Sequence, residues 1–392
     1  MPVIDAGRID SSGSSGVADI PLVASGGSNL LIAQLSPGFG LTATGGSSQS
    51  AGTSSQQLIQ AILAVTPDHP VTDQEHLTGN GVTFLGKLAA SVPLLIETIT
   101  PVTGSTAPTS PLTLTGTSSS SQHTALVIDT TQMASASTLS LNQVDFAAIV
   151  GSANVIGNTA DQILTGDAAS QQFSVNSGSN SSVFSGGGSD VLNINFATSS
   201  TPSTGNSASI LHGGQGGDTV TFSGASSDYV IENHEGYIRV ISNTQPSQQA
   251  VLINAETVSF ADTTVTVQAT AAQTELSGLY QSVLGRQADY QGFDYWAVEA
   301  KNGVSMGSIA LSLITSTEAQ GGPALVLNGN ATNDIEMLYQ GIFGRQSDSQ
   351  GKAYWVSAME QGMTLDQVAT GFIQAAEMDQ HKVAAVNWDF IV

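Results

Sequence analysis

Residues 213–221 read GGQGGDTVT. Gly213, Gly214 and Gly216 permit a tight turn, Asp218 adds a carboxylate to it, and Val220 opens an inward-facing strand. SGGGSDVLN (185–193) repeats the plan with Gly186, Gly188 and Asp190, and VIGNTADQI (155–163) keeps only Gly157 and Asp161. Apolar residues recur at Ile163, Phe173, Val183, Leu192, Ile210 and Val220, mostly nine or ten apart, with one double interval across 198–206. A period that short, carried by Gly and Asp turns, predicts a parallel β-solenoid, β-roll or β-helix, whose rungs stand only by stacking.

The strand texture extends over 123–268, with ALVIDTT and STLSLNQVDFAAIVG as short alternating stretches. DYVIENHEGYIRVI reads as a hairpin turning at 234–236, and with AVLINAETVSFADTTVTV it is expected to cap the solenoid's open end. The region 1–122 is Ser/Gly/Thr-rich and reads as partly helical and partly irregular. Its opening part, 1–54, suggests disorder or a loose β start. QQLIQAILAV (56–65) has helical spacing, 82–99 reads as one or two short helices interrupted at Pro93, and 101–122 reads as a linker. An all-α domain is predicted for 274–382, built from repeats at 274–320 and 333–379, with 383–392 following. The repeats are identical at 15 of 40 ungapped positions between 279–318 and 338–377. Asn333 with Glu336, and Thr364 with Gln367, suggest capping boxes, and Gly303 and Gly362 fall where a C-cap belongs.

The chain has 392 residues, of which 40% are hydrophobic and only 10% charged, with 8 basic residues against 31 acidic ones and a formal charge of −23. Four lysines and four arginines cannot build a phosphate-neutralising stripe, so nucleic acid is excluded as a partner, and anionic membrane surfaces are disfavoured. The chain has no cysteine, which rules out disulfides and thiolate metal sites. No apolar run reaches the length of a transmembrane segment. MPVIDAGRIDSSGSSG carries neither a basic n-region nor an apolar h-region, so a signal peptide of that kind is not expected there.

The nonapeptide at 213–221 resembles the calcium-binding RTX repeat (GGxGxDxUx) of secreted bacterial proteins. The resemblance implies calcium held by hard oxygens at Gly213, Gly214, Gly216 and Asp218, with weaker copies at Gly186, Gly188, Asp190 and Asp161. The acidic turns are sparse, and Asp161, Asp190 and Asp218 follow one another at nearly equal intervals of about three rungs. On a two-sided roll that spacing predicts alternate faces and half-sites; on a three-sided helix it predicts one column. A solvated Asp on a purely structural glycine turn is the competing reading.

LYQSVLGRQADYQGFDYW (279–296) and its echo LYQGIFGRQSDSQGKAYW (338–355) resemble a helical domain family of unknown function, found beside RTX repeats in secreted bacterial chains. Arg286 and Arg345 each precede an aspartate, Asp289 or Asp348, by three positions. This reads as an Arg–Asp clip with an N-cap, and Tyr295/Trp296 and Tyr354/Trp355 read as core. The functional alternative is a glycan-binding groove using Arg286, Asp289, Trp296, Arg345, Asp348 and Trp355.

The C-terminal VNWDFIV resembles the uncleaved signal of type I secretion substrates, which would make that export machinery a partner. No HExxH or Walker motif is present, and the six histidines are scattered. His69 and His76, beside Asp68, Asp73 and Glu75, read as a solvated loop in preference to a metal site. The chain is therefore expected to be a non-catalytic, secreted surface or matrix protein of a Gram-negative bacterium: an adhesin, a surface-layer-like subunit or a biofilm component capable of self-assembly. A polysaccharide-acting enzyme and a carbohydrate-binding module are the alternatives.

Overall fold

In a computed structural model of the protein, residues 3–4, 16–176, 180–196, 207–286, 288–319 and 325–378 are described. β1 (Val3–Ile4), β2 (Ala18–Ser25), β3 (Ser28–Leu35), β4 (Phe39–Gly45) and β5 (Gln49–Ser50) precede helices α1 (Ser55–Val65) and α2 (Val71–Gly86). β2 and β3 form an antiparallel hairpin, turning on Gly26 and Gly27 at φ of 59° and 82°. The Ser/Gly/Thr-rich stretch is thus mostly strand from Ala18 to Gly45, because alternate residues such as Leu31, Ala33 and Leu35 are buried.

The region 82–99 corrects the sequence expectation. α2 ends at Gly86, and Pro93 opens a strand, β6 (Pro93–Thr103), instead of kinking a helix. A proline at the first position of a strand costs little, since the hydrogen bond it cannot donate lies at the end of the ladder. α2 itself is a helix that the sequence hides, since its own glycines weaken it locally. Gly81 lies at the helix crossing, where an added Cβ would sit 3.1 Å from Leu58 and 3.5 Å from Ile62.

The strands that follow are β7 (Leu112–Thr115), β8 (His123–Asp129), β9 (Thr138–Asn142), β10 (Phe146–Val150), β11 (Asn154–Gly157), β12 (Ile163–Gly166) and β13 (Gln172–Asn176). Next come β14 (Ser182–Phe184), β15 (Gly187–Gly188), β16 (Val191–Asn195), β17 (Ser207–His212), β18 (Gln215–Gly216) and β19 (Thr219–Phe222). β20 (Tyr229–Asn233), β21 (Ile238–Ser242), β22 (Gln248–Ile253), β23 (Thr257–Ser259) and β24 (Thr264–Thr266) complete the set. The expected linker 101–122 therefore holds the end of one strand and all of another.

Successive strands alternate between two sheets of mainly parallel strands. The first sheet runs β6-β8-β10-β12-β14-β17-β22 and the second β7-β9-β11-β13-β16-β19-β23, with antiparallel β3 and β4 pairing at the N-terminal side. The apolar recurrence of nine or ten positions is the step from one sheet to the other. The step within a sheet is twice as long where Phe173 pairs with Leu192, and longer again by half where Leu192 pairs with Val220. Leu139, Val155, Phe173, Leu192, Val220 and Val258 pair successively into one inward column, each no more than 2% exposed. Each such side chain contributes roughly 1.5–3 kcal/mol when buried.

The sheets differ in burial. Strands of the second sheet alternate buried and partly exposed residues, as in β11 and β19. β10 and β12 are buried at every position, because α2 covers them while α1 lies against β6 and β8. Phe84 of α2 stacks on Phe146 of β10 with ring centroids 5.2 Å apart.

The helical region comprises α3 (Ala271–Leu279), running on into a π-helical turn (Tyr280–Leu284), then α4 (Tyr290–Lys301), α5 (Met306–Ile314), α6 (Ala331–Phe343), α7 (Ser349–Glu360) and α8 (Leu365–Ile373). The described residues divide into one unit of 1–232 with 239–267 and another of 233–238 with 268–392. Within the helical unit the two repeats pack on each other through equivalent elements: α5 on α8, and the π turn on α6. Ser282 Oγ donates to the Ile342 carbonyl, and a Cβ on Gly307 would lie 2.1 Å from the Asp366 carbonyl. Equivalent surfaces meeting in this way are what a two-fold interface produces, here inside one chain. α6 is capped by Asn330 instead of Asn333, whereas the Thr364/Gln367 capping box forms on α8. No helix among the described residues is long and apolar enough to cross a membrane.

Candidate functional site

The glycine turns form a stacked corner where the chain leaves the first sheet for the second. β15 pairs in parallel with β18, setting Gly187 on Gln215 and Gly188 on Gly216. The Gln215 N–H donates to the Gly186 carbonyl at 2.7 Å. The stack explains the glycines. A Cβ on Gly214 (φ +85°) would meet the Gly186 carbonyl oxygen at 1.9 Å, and one on Gly216 (φ +140°) would meet that of Gly188 at 1.4 Å. A Cβ on Gly213 would lie 2.7 Å from an Asp218 carboxylate oxygen.

Beneath the turns runs a ladder of carboxylates. Glu256 Oε2 accepts the Asp218 N–H at 2.8 Å, Asp218 Oδ1 accepts the Asp190 N–H at 2.8 Å, and Asp190 Oδ1 accepts the Gln171 N–H at 2.7 Å. The remaining oxygens, Asp190 Oδ2 and Asp218 Oδ2, are buried without a hydrogen-bond partner. The two residues are 1% and 0% exposed. Burial raises Asp190 to about 7 and Asp218 to about 8, the latter helped by the charges of Asp190 and Glu256. Burial raises Glu256 as well.

Two orphaned carboxyl oxygens in an acidic corner match calcium in donor type. They are a partial set against the roughly six to eight oxygens that calcium takes. Asp161 does not join them. It adopts φ 57° just before β12 and accepts from Asn180 Nδ2 at 3.2 Å, whereas Asp190 and Asp218 precede strands of the second sheet. Glu256 escapes the sequence reading because no glycines precede it. The available signal is an acid two positions before an inward apolar residue, shared by Asp190–Leu192, Asp218–Val220 and Glu256–Val258.

In the helical repeats Asp289 and Asp348 are N-caps, accepting the N–H of Gly292 and Gly351 at 2.7 Å each. The arginines find a stronger partner than the expected aspartates. Arg286 forks onto Glu318 at 3.0 and 3.1 Å, and Arg345 onto Glu377 at 2.6 and 2.7 Å, while the Arg286–Asp289 approach is 3.6 Å. Each glutamate follows its arginine at the same distance along the chain in both repeats, a coincidence visible in the sequence. Arg345 also lies over the Tyr339 ring, 4.9 Å from its centroid.

The aromatic pairs split by role, which corrects their reading as core. Tyr295 and Tyr354 are 57% and 64% exposed, while Trp296 and Trp355 are half-buried. Trp355 packs on Phe372, with ring centroids 5.4 Å apart. Tyr354 lines a cavity of about 830 Å³ with Ser357, Gln361, Met363 and Gln367.

The third cluster corrects the reading of a solvated loop. His69 precedes α2, and Asp73 and His76 lie on it; His69 hydrogen-bonds Asp73 and lies 3.9 Å from Asp167 beyond β12. The segment 383–392, with its secretion-signal resemblance, lies outside the described residues.

Residues 267–322 and 328–382 each match a protein-family profile described as "Domain of unknown function (DUF4214)". The C-terminal helical region is therefore a duplicated domain of that family. No curated protein and no solved structure matches the chain.

Proposed function

We propose that this is a non-catalytic, exported structural protein of the bacterial surface or extracellular matrix, built on an RTX-like two-sided β-solenoid and followed by the DUF4214 pair. The observation that carries the reading is the corner column, in which glycine turns stack over Asp190 and Asp218 with one oxygen of each carboxylate unsatisfied. In water without divalent ions that corner is costly to ionise. With calcium it closes. Extracellular calcium modules bind at about 10⁻⁴–10⁻³ M, so such a chain stays loose in a calcium-poor cytosol and tightens outside the cell. Type I export, calcium and assembly with further copies all belong to this proposal, as does the absence of a catalytic role.

The test is circular dichroism and sedimentation of the full chain in EGTA and then in millimolar calcium. Gain of β signal, higher melting temperature or larger species with calcium supports the reading. Identical spectra and sedimentation in both buffers overturn the calcium role.

A second reading has its own observation. Tyr295 and Tyr354 stand exposed at equivalent repeat positions, and exposed aromatics are the usual platform for sugar rings. In this reading the helical unit holds a surface glycan. Tyr295→Ala with Tyr354→Ala is expected to abolish retention on polysaccharide while leaving helicity intact; unchanged retention would sink it.

A further inference from the structure

The helical insertion and the strand that it covers meet in a polar cluster drawn from distant parts of the chain. His69, Asp73 and Asp167 present one imidazole nitrogen and two carboxylate oxygens, all within 4.8 Å of one another. Asp73 and Asp167 side chains are 7% and 3% exposed, and that of His69 is 25% exposed. Alongside, His76 Nε2 lies 3.2 Å from Thr165 Oγ1, and Asn80 Nδ2 donates to the same hydroxyl at 3.1 Å. These contacts seat α2 along β12 and hold the cluster in place from the neighbouring turn.

We propose that His69, Asp73 and Asp167 form a site for a first-row divalent transition ion of the zinc class, which clips α2 to the end of β12. The donor set decides the class. Calcium prefers oxygens alone, whereas one imidazole with two carboxylates suits zinc, cobalt or manganese. Three protein ligands leave a fourth position, supplied by water on the exposed side of His69.

Several features point the same way. Two carboxylates this buried repel each other, and a divalent cation held between them would offset that repulsion. One orientation of the set is already fixed: Asp167 accepts the N–H of Gly151 at 2.8 Å and of Ala169 at 3.0 Å. Such backbone bonds hold a carboxylate in position for a ligand. Asp73 and Asp167 are far apart in sequence, so a bond through the metal would close a long loop, where cross-links restrict the unfolded chain most.

The experiment uses the full chain stripped with EDTA and titrated with cobalt, followed by zinc competition, reading the visible ligand-field band and the melting temperature. The expected result is a cobalt band displaced by zinc but not by calcium, and a zinc-dependent rise in melting temperature. His69→Ala should weaken cobalt binding on the order of tenfold or more, with unchanged circular dichroism. Asp73→Asn is the second variant, and because His69 is the most exposed ligand, the first variant is informative even if the second fails to fold. Absence of a band in the wild type, or equal affinity in His69→Ala, overturns the site. So does a melting temperature that zinc leaves unchanged while His69→Ala lowers it, since the cluster is then a histidine held between two aspartates.

Discussion

Asp218 Oδ1 accepts the backbone N–H of Asp190 at 2.8 Å, so each aspartate of the corner supports the turn before it. Asp190 Oδ1 accepts the Gln171 N–H in the same way, so each carboxylate has one oxygen engaged and the other, Oδ2, buried without a hydrogen bond. Stability of this corner is therefore tied to protonation.

The pH dependence follows from that pairing. Asp190 and Asp218 are raised to about 7 and about 8, and burial raises Glu97 to about 7. The folded chain then keeps protons that the unfolded chain has released, so the contribution of these three groups is full below about pH 4 and is lost as pH rises toward about 8. Melting in EGTA is expected at a lower temperature near pH 8 than near pH 5. In the opposite sense, Glu336 is held down to about 2 by Lys352 and Ser347, and its contribution is lost only in stronger acid, outside that window.

Asp218→Asn retains an acceptor for the Asp190 N–H while removing a buried charge. The variant is expected to flatten the melting-temperature profile between about pH 5 and pH 8, and to lose any calcium response. An unchanged slope would mean that the dependence arises elsewhere.

Adjacent glycines of the same turn should behave differently. Gly216→Ala drives a Cβ into the Gly188 carbonyl at φ +140°, whereas a Cβ on Gly217 meets only the Ser189 hydroxyl at 3.7 Å. Chemical denaturation should show a loss of about 2–4 kcal/mol for the first and under about 0.5 kcal/mol for the second.

In the helical unit the ion pairs are exposed and the glycine contact is not. Arg345→Ala is expected to cost about 1 kcal/mol or less, since surface pairs contribute little. Gly307→Ala forces the repeats apart at Asp366 and should cost at least about 2 kcal/mol by urea melting.

The cover on the first sheet is testable through Phe84. Its ring stacks on Phe146 and is 3% exposed. Phe84→Ala should cost about 3–5 kcal/mol and expose the apolar outer face of β10, read as binding of a hydrophobic dye.

Local chemistry is legible without coordinates wherever it depends on near neighbours. The strand period over 163–220, the glycine turns, α1, the capping box on α8 and the duplication of the helical repeat all rest on spacings within one or two elements. α2 stays hidden because its glycines and β-branched residues weaken the helical signal, and only packing on β10 and β12 makes it a helix. Likewise the run FAAIV in β10 loses its alternation because both faces are covered.

The three evenly spaced aspartates show where reading along the chain stops. Their two intervals are nearly equal, yet Asp161 stands apart while Asp190 and Asp218 share a column. Across the first interval the chain circles quickly, as the pairing of Phe173 with Leu192 shows, and the interval covers one and a half circuits, ending at the opposite corner. The next circuit, from Leu192 to Val220, is longer, and the second interval completes it once. Residue types and turn chemistry are written in the sequence, because each depends on a few adjacent side chains. Which turn lies over which, and the meeting of His69 with Asp167, depend on summed loop lengths and on a helix docking across the sheet, so they exist only once the strands have stacked.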